Sequence, residues 1–64
     1  MSGARVTLSA QLECVRREIK MRERVYPRLV SSGRMTSAKA REELETMRAV
    51  EKTLDELARA HRLL

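Results

Sequence analysis

Hydrophobic residues recur at helical spacing in both halves of the chain. At about 100° per residue, one face of the first half collects Leu8, Leu12, Val15, Ile19, Tyr26, Leu29 and Val30. Cys14, Met21 and Val25 lie beside this stripe and widen it. A similar stripe in the second half is formed by Ala40, Leu44, Met47, Val50, Leu54, Leu57, His61 and Leu64. The pattern predicts an all-α chain with helices over about 8–31 and 37–62.

The residues between the two stripes predict a tight reversal of the chain. Gly33 supplies the positive φ that commonly follows the last turn of a helix. Thr36 can cap the next helix, with Met35 and Ala40 placed as a hydrophobic staple. We therefore expect an antiparallel two-helix hairpin folded about Gly33. Its helices are predicted to pair Tyr26 with Leu44, Ile19 with Val50, Val15 with Leu54, Leu12 with Leu57 and Leu8 with His61.

Two details concern the first predicted helix. Thr7 or Ser9 can cap its N-terminus. Pro27 removes one backbone hydrogen bond and presses on the preceding turn. The residues after it, 28–30, keep the spacing of the stripe, so the helix is predicted to continue to about residue 31 with a kink in the turn 23–26.

The chain is short and its core must be small. Its 64 residues include no Trp or Phe and a single Tyr, and domains of this size usually need disulfides, a metal or oligomerisation. Cys14 and His61 are the only residues of their kinds, so an intrachain disulfide and a Cys/His zinc site are excluded. We interpret Cys14 as a small buried hydrophobe, with an intermolecular disulfide as the alternative. His61 is interpreted as a helix-end residue.

With a disulfide and a zinc site excluded, we expect self-association to complete the core. We predict one domain over residues 8–64, preceded by a flexible leader over 1–7, and a homodimer that forms a four-helix bundle. The residues predicted to build the core and the dimer are Leu12, Val15, Ile19, Leu44, Met47, Val50, Leu54 and Leu57.

The sequence argues against several classes of function. No apolar run approaches the ~18 residues of a membrane span, and residues 1–7 lack the apolar region of a signal peptide. We therefore expect a cytoplasmic protein that does not enter membranes. The single histidine lies at the far end of the chain, and the hydroxyl residues cluster at the turn and caps. A two-helix hairpin also offers no water-excluding cleft, so we predict no enzyme, no cofactor and no metal.

Glu18 and Arg22 form a charged pair at the border of the first stripe. Their spacing of four, with the acid first, favours a helical ion pair. One interpretation is a partly exposed pair whose charged ends reach the edge of the apolar surface. The other is a polar device that fixes the register of the oligomer or contacts a partner.

Positive charge is concentrated in the first half. Residues 1–35 hold eight Arg or Lys against three Glu, whereas residues 36–64 hold six of each sign. The outward side of the first helix is predicted to carry Arg16, Arg17, Lys20, Arg24 and Arg28. This face is a solvated surface, a site for an acidic protein partner, or a nucleic-acid site. Nucleic acid is favoured least, because the face has few residues that read base edges and no aromatic stacking platform.

One further pattern in the sequence is Arg24-Val25-Tyr26-Pro27, then Val30, Gly33-Arg34-Met35-Thr36, Ala40, Glu43 and Met47. Through these residues, the stretch 15–54 resembles very small helical proteins encoded by bacteriophages and prophages, many of them Mu-like. It is similar in size and kind to a phage quorum-sensing anti-activator, a dimer of helical hairpins that binds a host LuxR-type transcription regulator and a pilus assembly ATPase. The resemblance implies a phage protein that acts by occupying a host protein.

Three hypotheses for the function follow. The first is an inhibitor or adaptor that docks on an acidic patch of a host bacterial protein. Its predicted partner-binding residues are Arg16, Arg17, Lys20, Arg24, Tyr26, Arg28 and Arg34. The second is a small basic DNA-binding regulator that acts as a dimer. The third is a structural or assembly protein of a virion.

Overall fold

The structure is a computed structural model that describes residues 6–63. These residues form two helices, α1 (Leu8–Ser31) and α2 (Ser37–Leu63), which fold back on each other as a hairpin. The predicted all-helical hairpin and its helix bounds are confirmed to within a residue. Residues 1–5 of the predicted leader and Leu64 lie outside the described residues.

The N-terminus of α1 is capped by Thr7. The Thr7 hydroxyl accepts a hydrogen bond from the backbone N–H of Ala10 at 3.0 Å, and its carbonyl accepts one from Gln11 N–H at 3.0 Å. The Gln11 side-chain amide also donates to the Val6 carbonyl at 3.2 Å. Of the two predicted caps, Thr7 is therefore the one used, and Ser9 lies inside the helix.

The chain leaves α1 through a turn that satisfies its own backbone groups. Gly33 has a φ of 77°, the left-handed conformation that suits glycine. Its N–H donates to the Val30 carbonyl at 3.1 Å, and Arg34 N–H donates to the Leu29 carbonyl at 2.9 Å. These two bonds constitute a Schellman motif, which ends the helix and reverses the chain. The predicted role of Gly33 is confirmed.

Thr36 begins α2. Its hydroxyl accepts a hydrogen bond from Lys39 N–H at 3.0 Å, and its carbonyl accepts one from Ala40 N–H at 3.0 Å. The predicted cap is thus confirmed. Between the two helices only residues 32–36 are non-helical, so the connection is short.

Removing this cap tests how much the turn contributes to stability. For Thr36→Ala we expect the free energy of unfolding to fall by about 1 kcal/mol, because an N–H group at the start of α2 loses its acceptor. Urea denaturation followed by circular dichroism measures the change. Ser37→Ala, one residue later and exposed, is the control and should stay within about 0.5 kcal/mol of the parent. Equal losses for both variants would contradict a capping role.

Pro27 lies inside α1 without ending it. The helix runs on for four residues to Ser31, as the spacing of the hydrophobic stripe predicted. Proline leaves one carbonyl of the preceding turn without its helical donor, and Pro27 itself is exposed.

The core between the helices is thin. Among the described residues only Leu12, Ile19 and Ala40 are classed as buried, at 7%, 7% and 8% exposed. On α2, half-buried residues extend the contact line that begins at Ala40, and we call this set the α2 seam: Ala40, Leu44, Met47, Glu51, Leu54 and Ala58.

The α2 seam differs from the predicted one at Val50, Leu57 and His61, of which His61 is exposed at the end of α2. Val50 and Leu57 were placed opposite Ile19 and Leu12, but they are 42% and 50% exposed. The spacing of four, three, four, three and four from Ala40 onward selects Glu51 and Ala58 in their place. The prediction was wrong here because it avoided a charged residue at Glu51. Val50 and Leu57 are therefore apolar residues that the hairpin itself does not cover.

Candidate functional site

One broad face of the hairpin is crossed by ion pairs between the helices. Arg16 of α1 donates from Nε to Glu51 Oε2 at 2.8 Å and from Nη2 to Asp55 Oδ1 at 3.4 Å. Further toward the turn, Arg48 of α2 donates to Glu23 of α1. We call this side of the molecule the ion-paired face. Its charges are arranged so that each helix supplies both a cation and an acid.

Arg16 is a correction to the sequence analysis. It was predicted to lie on the outward side of α1 as a partner-binding residue, but the structure places its guanidinium against α2. The hydrogen bond to Glu51, with the nearby charges of Glu51 and Asp55, raises the pKa of Arg16. The guanidinium is thus committed to an intramolecular contact. Glu51 and Asp55 were missed by sequence reasoning, because their role appears only when Glu51 is accepted as a seam position.

A second charged cluster lies on the opposite broad face. Arg22 Nε donates to Glu18 Oε2 at 3.1 Å, which confirms the predicted pair. The same guanidinium reaches Glu43 of α2, with 3.7 Å between Nη1 and Oε1. Hydrogen bonding to Glu18 is the largest cause that raises the pKa of Arg22, and Tyr26 adds to it. The Arg22 side chain is 28% exposed, so this cluster is partly desolvated.

The positions of these clusters show which residues share a face. At about 100° per residue, Arg16 and Glu23 lie on one side of the buried line of α1, and Arg22 and Glu18 lie on the other. Val25 follows Glu18 by seven residues and so falls on the Arg22 side, whereas Cys14 and Met21 lie two residues after Leu12 and Ile19 and point outward with Arg28. On α2, Val50 and Leu57 follow Glu43 at intervals of seven, so they share its side. The residues that we call the open face are Val25, Val50 and Leu57.

The open face is apolar and largely uncovered. Val50 and Leu57 are 42% and 50% exposed, and Val25 is half-buried. Cys14 is a free, exposed thiol, which contradicts its interpretation as a buried residue for the single chain. Clustered large apolar side chains of this kind typically mark an interaction site.

A row of cations lies on the outward side of α1, opposite its buried line. Arg17, Lys20, Arg24 and Arg28 are all exposed. Within residues 6–63, none of the four takes part in an ion pair. We call them the basic stripe. They contrast with Arg16, Arg22 and Arg48, whose charges are each matched by a carboxylate.

Tyr26 and Arg34, the other two predicted partner-binding residues, lie near the turn. Tyr26 is half-buried and lines a shallow groove of about 370 Å³ together with Pro27, Ala40 and Leu44. Arg34 is exposed, and its backbone N–H closes the Schellman motif. Tyr26 therefore lies on the side of α1 that faces α2, away from the basic stripe.

A depression lies at the open end of the hairpin. A groove of about 660 Å³ is bounded there by both helices, and its lining includes Leu8, Leu12, Ala58 and His61. Leu8 and His61 thus lie at the same end of the molecule, as the hairpin predicted. Over the part of the chain that the structure describes, no three His, Cys, Asp or Glu side chains are placed to hold a metal ion.

Two further observations concern the helices and the similarity of the chain to known proteins. Neither described helix is long and apolar enough to cross a membrane. Searches with the sequence and the fold against protein-family models, curated proteins and solved structures gave no match. The surfaces of the hairpin are therefore the basis for a functional proposal.

Proposed function

We propose that this chain is a non-catalytic protein-binding module that works as a homodimer in the bacterial cytoplasm. Two hairpins form a four-helix bundle, and the basic stripe of each docks on an acidic patch of a host bacterial protein. Docking inhibits or modulates that protein. The resemblance to small phage proteins supports a phage origin and a target such as a transcription regulator or an ATPase.

The basic stripe is the observation that carries the proposal. Arg17, Lys20, Arg24 and Arg28 span twelve residues of one helix, which is about 16 Å. Their side chains are exposed, and they lack ion-pair partners among the described residues, so binding to an acidic surface breaks no contact within the hairpin. Arginine is enriched at binding hot spots and also steers association with acidic partners.

The dimer is supported by the size of the core. Three buried side chains in 58 described residues are few for a domain that has no disulfide within the chain. Chains below about 70–80 residues rarely gain enough stability from one small core. A second copy supplies the missing apolar contacts.

Reversing two charges of the basic stripe tests the docking. For Arg17→Glu combined with Arg24→Glu, we expect helicity and molar mass to stay unchanged, because neither residue contacts α2. The Kd for the host protein should rise by about 100-fold or more, since two hot-spot arginines are replaced by repelling carboxylates. The partner is first isolated by affinity capture with mass spectrometry, and binding is then measured with the purified protein by calorimetry.

A matched control separates the stripe from net charge alone. Arg41→Glu with Lys52→Glu changes the charge by the same amount on the exposed outward side of α2, and it should bind like the parent. If the two double variants lose affinity equally, the effect is one of net charge and the stripe is not the docking site. If the stripe variant unfolds, Arg17 and Arg24 are structural and the proposed face is wrong.

The alternative is a small DNA-binding regulator, because the same row of cations could follow a phosphate backbone. This function predicts an affinity that falls steeply as salt is added. A gel-shift titration with duplex DNA at low salt decides between the two. Tight DNA binding that the stripe variant abolishes, without a captured host protein, would favour the regulator.

A further inference from the structure

We infer that the open face is the dimer interface and that the two hairpins pack there with their turns at the same end of the bundle. This arrangement rests on the dimer of the proposed function, and it specifies the surface and the orientation. The occupant is a second copy of the chain, related by a twofold axis parallel to the helices. In the bundle, α1 of one copy lies against α2 of the other.

The two broad faces differ in chemistry. The ion-paired face carries Arg16, Glu23 and Arg48 with their partners, whose charges would lose water if a second copy covered them. The open face presents Val50 and Leu57, which are each more than a third exposed. These two residues are seven positions apart. This is the spacing of left-handed helix packing in bundles.

The dimensions of the hairpin suit a dimer. The described molecule extends 47 by 24 by 15 Å, and the open face lies on one of the two broad sides. A stable interface takes about 800 Å² from each partner, which is less than the area of one broad side. A twofold dimer uses the same patch on both subunits, so one apolar face is enough to form it.

Repulsion between the two basic helices selects the orientation of the hairpins in the dimer. The excess of positive charge lies in residues 1–35, and residues 36–64 are neutral overall. With the turns at opposite ends, α1 would lie against the α1 of the other copy, and two basic helices would be neighbours. With the turns at the same end, the basic helices lie on a diagonal and each borders the neutral α2. The second arrangement keeps the basic stripes apart on opposite sides of the bundle.

The cluster around Arg22 agrees with this orientation. A twofold axis parallel to the helices keeps the two clusters at the same height, so Arg22 of each copy faces Glu43 of the other. Its contact with Glu43 in the same chain is long, at 3.7 Å, and a guanidinium has five N–H donors to share. The cluster then forms a polar layer within the apolar interface, of the kind that fixes register in helical bundles.

Placing carboxylates on the open face tests the interface. For Val50→Glu with Leu57→Glu, we expect the molar mass at tens of micromolar to fall from twice 7.4 kDa to 7.4 kDa, with the dimer dissociation constant raised at least about 100-fold. Ala49→Glu with Ala60→Glu adds the same charge on the exposed outward side of α2 and should remain dimeric. Light scattering after gel filtration gives the masses. A Val50/Leu57 variant that stays dimeric would overturn the open face as the interface while leaving the dimer itself intact.

A thiol at position 50 provides a second measurement, which matters if the double variant fails to fold. In Val50→Cys with Cys14→Ser, the new thiol lies on the open face, so dimer formation should slow its reaction with a thiol reagent several-fold. The rate should increase as the protein is diluted. A rate that does not depend on concentration, across a range in which light scattering shows dimer and monomer, contradicts the interface.

The orientation is measured by labelling the turn. In Ser32→Cys with Cys14→Ser, spin labels at the same end of the bundle should be about 15–30 Å apart, since neighbouring helices are 8–10 Å apart. Turns at opposite ends are separated by the length of α1, about 36 Å, and the labels by about 40 Å or more. The longer distance overturns the orientation. A folded monomer at tens of micromolar would overturn the inference and the proposed dimer together, whereas the docking experiment tests the basic stripe separately.

Discussion

Replacing Ile19 with alanine is expected to abolish most of the cooperative unfolding transition. Ile19 is 7% exposed, and only Leu12 and Ala40 are buried to a similar degree among the described residues. Truncating a buried isoleucine to alanine costs about 2–5 kcal/mol, from lost transfer free energy and the cavity that remains. A domain of this size rarely has more than about 3–5 kcal/mol to lose. Circular dichroism at 222 nm, followed through a urea titration, should show reduced helicity and no clear folded baseline.

The control for Ile19→Ala removes apolar atoms from an exposed position. Val6 precedes α1 and is 58% exposed, so Val6→Ala should change the free energy of unfolding by less than about 0.5 kcal/mol. If Ile19→Ala unfolds at the same urea concentration as Val6→Ala, the interhelical contact around Ile19 does not stabilise the fold, and the described core is wrong.

Replacing Gly33 with valine is expected to destabilise the hairpin by about 1–2 kcal/mol. Gly33 has a φ of 77°, a conformation that costs an L-residue roughly this much and is least tolerated by β-branched side chains. No atom lies within 4 Å of the position that a Cβ would occupy. The loss therefore comes from backbone strain in the turn and not from a clash with the helices. Thermal denaturation of Gly33→Val measures it.

Asparagine at the same position distinguishes strain from other causes. Asn enters the left-handed region more readily than other non-glycine residues, so Gly33→Asn should retain more of the stability than Gly33→Val. Because both side chains project into open space, their difference reports the backbone conformation. Equal stability of the two variants would show that the turn has relaxed away from a positive φ.

The local parts of this fold could be predicted from the sequence with few errors. Local hydrogen bonds, to residues three or four positions away, determine the roles of Thr7, Gly33 and Thr36. A short stretch of sequence is therefore enough to predict these roles. The continuation of α1 past Pro27 followed from the stripe, because the residues after the proline kept its spacing. These features do not depend on how the two helices meet.

The contacts between the helices were harder to predict. Periodicity treated Glu51 as a surface residue, whereas the structure gives it a half-buried position from which its carboxylate reaches Arg16. Val50 was assigned to the contact line for the same reason. A charged residue can occupy a seam when a partner on the other helix neutralises it, and a pattern of apolar residues carries no information about that partner. The errors at Glu51 and Val50 therefore have one cause, a wrong predicted rotation of α2 about its own axis.

The candidate surfaces were predicted only in part. The exposed cations Arg17, Lys20, Arg24 and Arg28 lie where the sequence placed them, on the outward side of α1. Arg16 differs, because its position on the helix allows its side chain to reach either solvent or α2, and only the location of acids on α2 decides between them. The open face was not recognised from the sequence, since Val50 and Leu57 were assigned to the contact between the helices.

The connection over residues 32–36 also has a kinetic consequence. Its hydrogen bonds are made within the last turn of α1 and the first turn of α2, so the reversal of the chain needs nothing from the distant ends. Closing so short a loop costs little entropy, and helical topologies with mostly local contacts fold in microseconds to milliseconds. In a dimer of such hairpins, the slow event during assembly is the collision of two chains. While the protein is dilute, the concentration of the dimer then increases with the square of the concentration of the free hairpin.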